Sequence, residues 1–102
     1  MVQTYNKLVR DKIPERIEKR GEPFATHVAD DLEYHKKLFE KLSEEIEEFK
    51  AEESLKELAD VLEVIDAIIA FKQFDRAELA EIKEKKKEER GGFEKRIILE
   101  ES

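Results

Sequence analysis

The sequence predicts an all-α protein, a small antiparallel helical bundle of about four helices with a short C-terminal extended segment. Apolar residues recur at three- and four-residue steps along most of the chain. Helix-capping residues precede these apolar stripes, and only two Pro and three Gly interrupt the pattern. The length of 102 residues fits a single domain spanning 1–102. A chain this short has a modest core, so association with further copies would stabilise it.

The first predicted helix lies within the segment 5–19. Its apolar residues are Leu8, Val9, Ile13 and Ile17. Asp11 is the expected cap, and Pro14 falls in the first turn, where a missing N–H costs little. Gly21 is the expected C-terminal stop. The connection 22–29 alternates weakly and could include a short strand.

The second predicted helix begins at Asp30 or Asp31 and ends near Lys50. Its apolar stripe consists of Leu38, Leu42, Ile46 and Phe49. The steps between these positions are three or four residues, which indicates a helix with one face toward a core. Within the acid run 44–48, Glu45 shares this stripe, so we expect it to face inward.

The third predicted helix begins at Ser54 and ends near Lys72. Ser54-Leu55-Lys56-Glu57 has the pattern of a capping box. The segment 57–71 is apolar nearly all round, which is typical of a buried helix. Its polar residues are all acidic: Glu57, Asp60, Glu63 and Asp66. Because a buried carboxylate needs a partner, another helix, another subunit or a metal ion must neutralise them.

The fourth predicted helix begins after Asp75 and stops at Gly91-Gly92. We expect four apolar residues to face the core: Ala77, Leu79, Ala80 and Ile82. A dense charge run, 84–90, follows them. The tail 93–99 alternates partly and could be a short strand.

Composition excludes several classes of function. The net charge of −7 argues against a nucleic-acid polymer as the main partner. The absence of Cys excludes a disulfide scaffold, a thiolate metal site and a cysteine nucleophile. No apolar run approaches the roughly 20 residues of a membrane helix. We therefore expect a cytoplasmic protein with no membrane partner.

Two acid pairs stand at helical spacing on consecutive helices. Glu45 and Glu48 are three residues apart, as are Glu57 and Asp60. Antiparallel helices joined by a short turn would bring the pairs together as an oxygen cage for a hard cation, with Mg²⁺ the best candidate. Mg²⁺ commonly takes substrate phosphates as further ligands, which favours phosphate-ester or phosphoanhydride chemistry.

Three alternatives stay open for these acids. Acid pairs on a charged helix are usually solvated surface, which applies most to Glu44 and Glu47. Glu57 could merely complete its capping box. Glu63 and Asp66 could face Lys or Arg from a neighbouring helix.

Two basic clusters are candidates for binding phosphate. The first consists of Lys7, Arg10 and Lys12, and the second of Lys83, Lys86, Lys87 and Arg90. Arg90 and Lys86 are the stronger candidates in the second cluster, since Gly91-Gly92 lets the backbone approach an anion. The alternatives are inter-helix salt bridges or subunit contacts for the first cluster and a solvated helix face for the second.

The motif Glu44-Glu45-x-x-Glu48 followed by Glu57-x-x-Asp60 resembles the EExxE…ExxD signature of the all-α nucleoside triphosphate pyrophosphatases, the MazG-like and phosphoribosyl-ATP pyrophosphohydrolase superfamily. The segments 7–14, 57–64 and 89–93 resemble the small phosphoribosyl-ATP pyrophosphohydrolase-like proteins of bacteria and archaea. The resemblance covers nearly the whole chain. Only eight residues separate Glu48 from Glu57, fewer than in many MazG-like enzymes, so the substrate pocket can differ.

The resemblance implies Mg²⁺-dependent hydrolysis of a nucleoside triphosphate, or of a phosphoribosyl-ATP-like nucleotide, between its α and β phosphates. The products would be a monophosphate and pyrophosphate. The carried-over metal ligands are Glu45, Glu48, Glu57 and Asp60, and Glu44 or Glu45 is the candidate base. The family also implies a homodimer or homotetramer. Clearance of non-standard nucleotides competes with phosphoribosyl-ATP hydrolysis.

Two rivals from other classes stay open. The chain could be a non-catalytic helical module of the same fold that binds nucleotides or regulates a partner. It could also be a structural bundle whose inner acids pair with Arg from a partner. The four carboxylates argue against the first of these rivals, because acids within an apolar helix are destabilising without a metal role.

Overall fold

The computed structural model describes residues 5–102, and these contain four α-helices and no strand. The helices are α1 (Ile13–Lys19), α2 (Asp31–Ala51), α3 (Leu55–Lys72) and α4 (Arg76–Arg90). The all-α, small-bundle prediction is confirmed. The strands considered at 22–29 and 93–99 do not form. In the described part of the chain neither segment has a partner strand for its backbone hydrogen bonds.

Three of the helices begin at the predicted caps. Asp30, Ser54 and Asp75 each accept a hydrogen bond from the backbone N–H three residues on, over 2.9, 3.2 and 3.0 Å respectively. Each cap satisfies one of the N–H groups that a helix leaves unpaired at its start. The sequence therefore places the beginnings of α2, α3 and α4 correctly.

The start of α1 differs from the prediction. Its N-cap is Lys12, which makes no side-chain capping bond, so the expected cap at Asp11 is wrong. The Ile13 N–H donates to the Arg10 carbonyl over 3.0 Å, and this turn holds the chain immediately before the helix. Pro14 lies in the first turn as expected. Gly21 follows the helix at φ +71°, a conformation that favours glycine.

The packing of α2 against α3 forms the core. The connection 52–54 joins these helices, and they make the most extensive contact between elements. Leu38, Val61 and Val64 are the buried apolar residues of the described chain. Glu45 is buried with them, which confirms that it faces inward. Ile46, predicted for the same stripe, is 40% exposed, because α3 covers only a narrow strip of α2.

The apolar faces of α3 and α4 are largely uncovered. Leu62 on α3 is 52% exposed, and Leu79 and Ile82 on α4 are 41% and 48% exposed. The predictions that α3 is a buried helix and that α4 turns its apolar residues toward the core are therefore wrong for a single chain. No other element in residues 5–102 packs extensively on these faces.

The shape of the chain reflects this open packing. The radius of gyration is 18.3 Å and the principal extents are 56 × 31 × 24 Å. A compact domain of this length has a radius of gyration of about 13 Å.

None of the helices in the described range is both long enough and apolar enough to span a bilayer.

Candidate metal centre

Five carboxylates converge where α2 packs against α3. We call them the acidic cluster: Glu44, Glu45, Glu48, Glu57 and Asp60. They form two groups of three, Glu44 with Glu45 and Glu48, and Glu45 with Glu57 and Asp60. Within each group, one oxygen from each carboxylate lies within 4.8 Å of the others. The predicted ligands are thus brought together in two groups that share Glu45.

Two oxygen atoms of the acidic cluster are buried without a partner. The Oε2 atoms of Glu45 and Glu57 are shielded from solvent and accept no hydrogen bond in the described structure. Glu45 as a whole is only 6% exposed. A buried acceptor without a partner is costly, and a buried charge more so. These two atoms are therefore the strongest structural indication that the cluster receives a ligand.

The capping box at the start of α3 is only half formed. The Glu57 N–H donates to Ser54 Oγ over 3.2 Å, as the motif predicts. The reciprocal bond is missing, because the Ser54 N–H donates to the Glu52 carbonyl over 2.8 Å instead. The Glu57 carboxylate is thereby left for the acidic cluster. The alternative that this side chain merely completes the box does not describe the structure.

Lys41 provides a neutralising charge from α2 itself. Its Nζ lies 3.2 Å from Glu45 Oε1 and 3.7 Å from Glu44 Oε1. Sequence reasoning overlooked this residue, although it stands one helical turn before Glu45. Only one of the two Glu45 oxygens is satisfied in this way, since Oε2 stays unpartnered.

The segment 5–12 supplies two further cations. Arg10 Nη2 donates to Asp60 Oδ1 over 2.8 Å, and Lys7 Nζ lies 3.5 Å from Glu44 Oε1. Salt bridges thus form, as considered for these basic residues, but they join the segment before α1 to α2 and α3 and do not run between two helices. Five carboxylates face three cationic side chains, so the cluster carries a surplus of negative charge when all of its acids are ionised.

The crowding of the carboxylates shifts the pKa of Glu48. Glu45 is the main cause, because the two side chains can share a proton in a hydrogen bond and because their like charges repel. Burial and the charges of Glu44 and Glu57 act in the same direction. Together they raise the pKa of Glu48 above its ordinary value of 4.5.

A cleft adjoins the acidic cluster on the side of Arg10. It has a volume of about 340 Å³ and is lined by Arg10, Asp11, Lys12 and Glu63. Two of the three basic residues predicted for the N-terminal cluster therefore line one cavity. Because Arg10 also contacts Asp60, the cleft and the cluster are contiguous.

The basic residues of α4 are not brought to the acidic cluster. Lys86 and Arg90 are exposed, and neither makes an ion pair with any residue in the range 5–102. Their helix packs little against α2 or α3. Gly91 follows α4 at φ +84° and ends it as predicted.

Other acids are ordinary surface partners. Asp66 pairs with Arg76 Nη2 over 3.2 Å, which confirms that a base from a neighbouring helix neutralises it. Glu47 pairs with Lys50 over 3.3 Å, and its side chain is 72% exposed. Glu47 is therefore solvated surface, as the sequence suggests.

Comparisons of the chain with protein-family models, curated proteins and solved structures gave no match.

Proposed function

We propose that the protein is a Mg²⁺-dependent nucleotide pyrophosphohydrolase. It would cleave a nucleoside triphosphate, or a phosphoribosyl-ATP-like nucleotide, between the α and β phosphates to give a monophosphate and pyrophosphate. The observation that carries the proposal is the pair of buried, unpartnered oxygens on Glu45 and Glu57 within a cluster of five carboxylates. The nucleotide substrate rests on the resemblance of the sequence motifs to the all-α pyrophosphatases.

The residues of the cluster fit a hard divalent cation. Every available donor is a carboxylate oxygen, the ligand type that Mg²⁺ prefers. Glu45, Glu57 and Asp60 form the more buried group and would hold the cation, with Glu48 beside them. A bound Mg²⁺ supplies charge neutralisation for phosphate oxygens and lowers the pKa of a coordinated water. Its two positive charges also offset the surplus of negative charge.

The proposed roles of the remaining residues follow from their exposure. Glu44 is the better candidate for the base, since its side chain is 36% exposed and faces solvent at the edge of the cluster. The Glu45 side chain is only 8% exposed, and Lys41 lies closer to it, at 3.2 Å, than to Glu44, at 3.7 Å. Arg10 and Lys12, in the adjoining cleft, would bind phosphate oxygens by charge-assisted hydrogen bonds.

We include a homodimer or homotetramer in the proposal. The chain has 9698 Å² of accessible surface, whereas a compact monomer of its mass has about 6,000 Å². Large apolar side chains are exposed on α3, on α4 and in the tail. Stable interfaces of obligate homodimers bury about 2,000–5,000 Å². Sedimentation should therefore give a multiple of 12.1 kDa. A monomer at all concentrations would contradict this part of the proposal.

One observation favours a purely structural bundle as the second candidate. Asp60 already has a partner within the chain, since Arg10 neutralises it. An internal ion pair of this kind needs no metal. It does not account for the unpartnered oxygens of Glu45 and Glu57, which the structural reading leaves buried and uncompensated.

The deciding experiment is pyrophosphate release across a panel of nucleoside triphosphates and phosphoribosyl-ATP in the presence of Mg²⁺. We expect release with at least one nucleotide. Glu48→Gln should lower it by about 10-fold or more, as loss of a group at a metal site does. Glu47→Gln is the matched control, because it removes the same charge from a solvated position one residue before Glu48. This variant should retain activity.

The outcome separates the candidate functions. Nucleotide binding without pyrophosphate release would favour a non-catalytic binding module. Release that Glu48→Gln and Glu47→Gln leave equally intact would show a contaminating activity and contradict the proposal. Neither binding nor release, together with no response to Mg²⁺, would favour the structural bundle.

A further inference from the structure

The positive charges at the acidic cluster come from two different kinds of position. Lys41 lies on α2, one turn before Glu45, and its side chain is 18% exposed. Arg10 lies in the helix-free segment before α1, and its side chain is 55% exposed. Lys41 is therefore held by the helix that carries the cluster. The Arg10 side chain can move away without disturbing a helix or the core.

Few interactions hold the Arg10 side chain in place. Its side-chain hydrogen bond within residues 5–102 runs from Nη2 to Asp60 Oδ1, over 2.8 Å. A half-exposed pair of this kind contributes little net stability, since solvent screens it and two side chains must be ordered. The backbone of Arg10 is anchored separately, because its carbonyl accepts from the Ile13 N–H. The guanidinium is thus free to exchange partners while the main chain stays where it is.

Asp60 is the point at which Arg10 and a cation would compete. The Asp60 carboxylate bonds to Arg10, and it also belongs to the group formed with Glu45 and Glu57. A divalent cation among these three carboxylates would lie within a few ångströms of the guanidinium. Like charges at such separations repel appreciably where burial limits screening. The two positive groups therefore disfavour each other at this carboxylate.

We propose that Arg10 is a displaceable counter-ion, which neutralises Asp60 in the cation-free protein and leaves it when a divalent cation binds. The inference rests on the proposed function in one respect, since it requires the cation site. The released guanidinium remains in the cleft that it lines with Lys12, where the two side chains bind the phosphate oxygens of an anionic ligand. Cation binding thus prepares the anion site.

Calorimetric titration of the full chain with MgCl₂ alone tests the competition. Arg10→Gln should bind Mg²⁺ several-fold more tightly than the wild type, because no counter-ion has to be displaced. Arg16→Gln is the matched control. It removes the same charge from the exposed surface of α1, where the described structure gives its side chain no ion pair, and it should bind as the wild type does. Thermal unfolding of each variant checks that it is folded.

Nuclear magnetic resonance of the arginine Nε–Hε groups tests the displacement itself in the wild type. The Arg10 signal, identified by its loss in Arg10→Lys, should shift as Mg²⁺ is added, since the guanidinium leaves Asp60. The Arg16 signal should not move. Inorganic phosphate should then shift the Arg10 signal further only when Mg²⁺ is present. This measurement does not depend on how well Arg10→Gln folds.

The outcomes separate the two proposals. An Arg10 signal that is unmoved at saturating Mg²⁺ would overturn the displacement, as would Arg10→Gln binding Mg²⁺ no more tightly than Arg16→Gln. In both cases the cation site itself would stand. A wild type that binds no Mg²⁺ would overturn the inference and the proposed metal centre together.

Discussion

The α2–α3 pair and α4 are made of similar residue types, yet these residues have different surroundings in the two regions. On α2 and α3, apolar residues meet to form the core, and Glu45 is buried among them. On α4 no residue is buried, and its Lys and Glu side chains face solvent. The difference shows that the helix face on which an acid lies decides whether its carboxylate is buried or solvated. The same comparison shows that the apolar residues of α4 are left largely uncovered within the described part of the chain.

The largest expected effect is a loss of stability, and it compares a core leucine with an exposed leucine on the same helix. Leu38 is 1% exposed and Leu32 is 83% exposed, and both lie on α2. Leu38→Ala should lower the free energy of unfolding by about 2–5 kcal/mol, because it leaves a cavity in a small core. Leu32→Ala should change it by no more than about 0.5 kcal/mol. Urea unfolding followed by circular dichroism measures both.

Equal losses in the two variants would break the comparison. They would mean that Leu32 is covered in solution, for example by a second copy of the chain. In that event, repeating the unfolding at several protein concentrations would show stability that increases with concentration.

The sequence predicts local features well and long-range cover poorly. The caps at Asp30, Ser54 and Asp75 depend on residues within one turn, so local chemistry determines them. The burial of Glu45 also follows from its helical stripe. By contrast, the exposure of Leu62 and Ile82 depends on which elements pack on them, and a stripe does not reveal whether its partner lies in the same chain.

The candidate site divides in the same way. The convergence of Glu45, Glu57 and Asp60 could be predicted, because two helical pairs and a short connection determine it. The pairing of Arg10 with Asp60 could not, since it spans 50 positions and depends on how the segment before α1 folds back. Nor could the failure of the reciprocal capping bond at Glu57, which depends on the Ser54 N–H finding another acceptor.

The second prediction compares two helix caps of the same kind. Ser54→Ala removes the cap of α3 and should lower the free energy of unfolding by about 1 kcal/mol, because α3 belongs to the cooperative core. Asp75→Ala removes the equivalent bond from α4, which packs little. Its main effect should be fraying of α4, seen as faster amide hydrogen exchange there. If Asp75→Ala instead lowered the free energy of unfolding of the whole chain, α4 would belong to the same cooperative unit as the core.

The smallest expected effect is a dependence of stability on pH in the cation-free protein. The raised pKa of Glu48 means that the folded state keeps a proton where the unfolded chain, with its ordinary value of 4.5, has lost it. The folded protein should therefore gain stability as the pH falls from neutrality through the folded-state pKa toward 4.5. Other carboxylates add their own trends, so the comparison is between variants.

Denaturant unfolding at about pH 7 and about pH 5 measures this contribution. Glu48→Gln should lose the part of the gain that comes from Glu48, whereas Glu47→Gln should keep it. Identical pH profiles in the two variants would contradict the assigned cause. Because Mg²⁺ competes with the proton for the same carboxylates, its affinity should increase with pH over the same window.

The most direct test of the central claim, that the acidic cluster is a cation site, is thermal unfolding with and without Mg²⁺. The unfolding temperature of the wild type should increase with Mg²⁺ concentration and return to its starting value after chelation. Glu57→Gln and Asp60→Asn should lose this increase, and Glu47→Gln should retain it. An unfolding temperature that Mg²⁺ leaves unchanged in the wild type, or increases equally in all four proteins, would contradict the account.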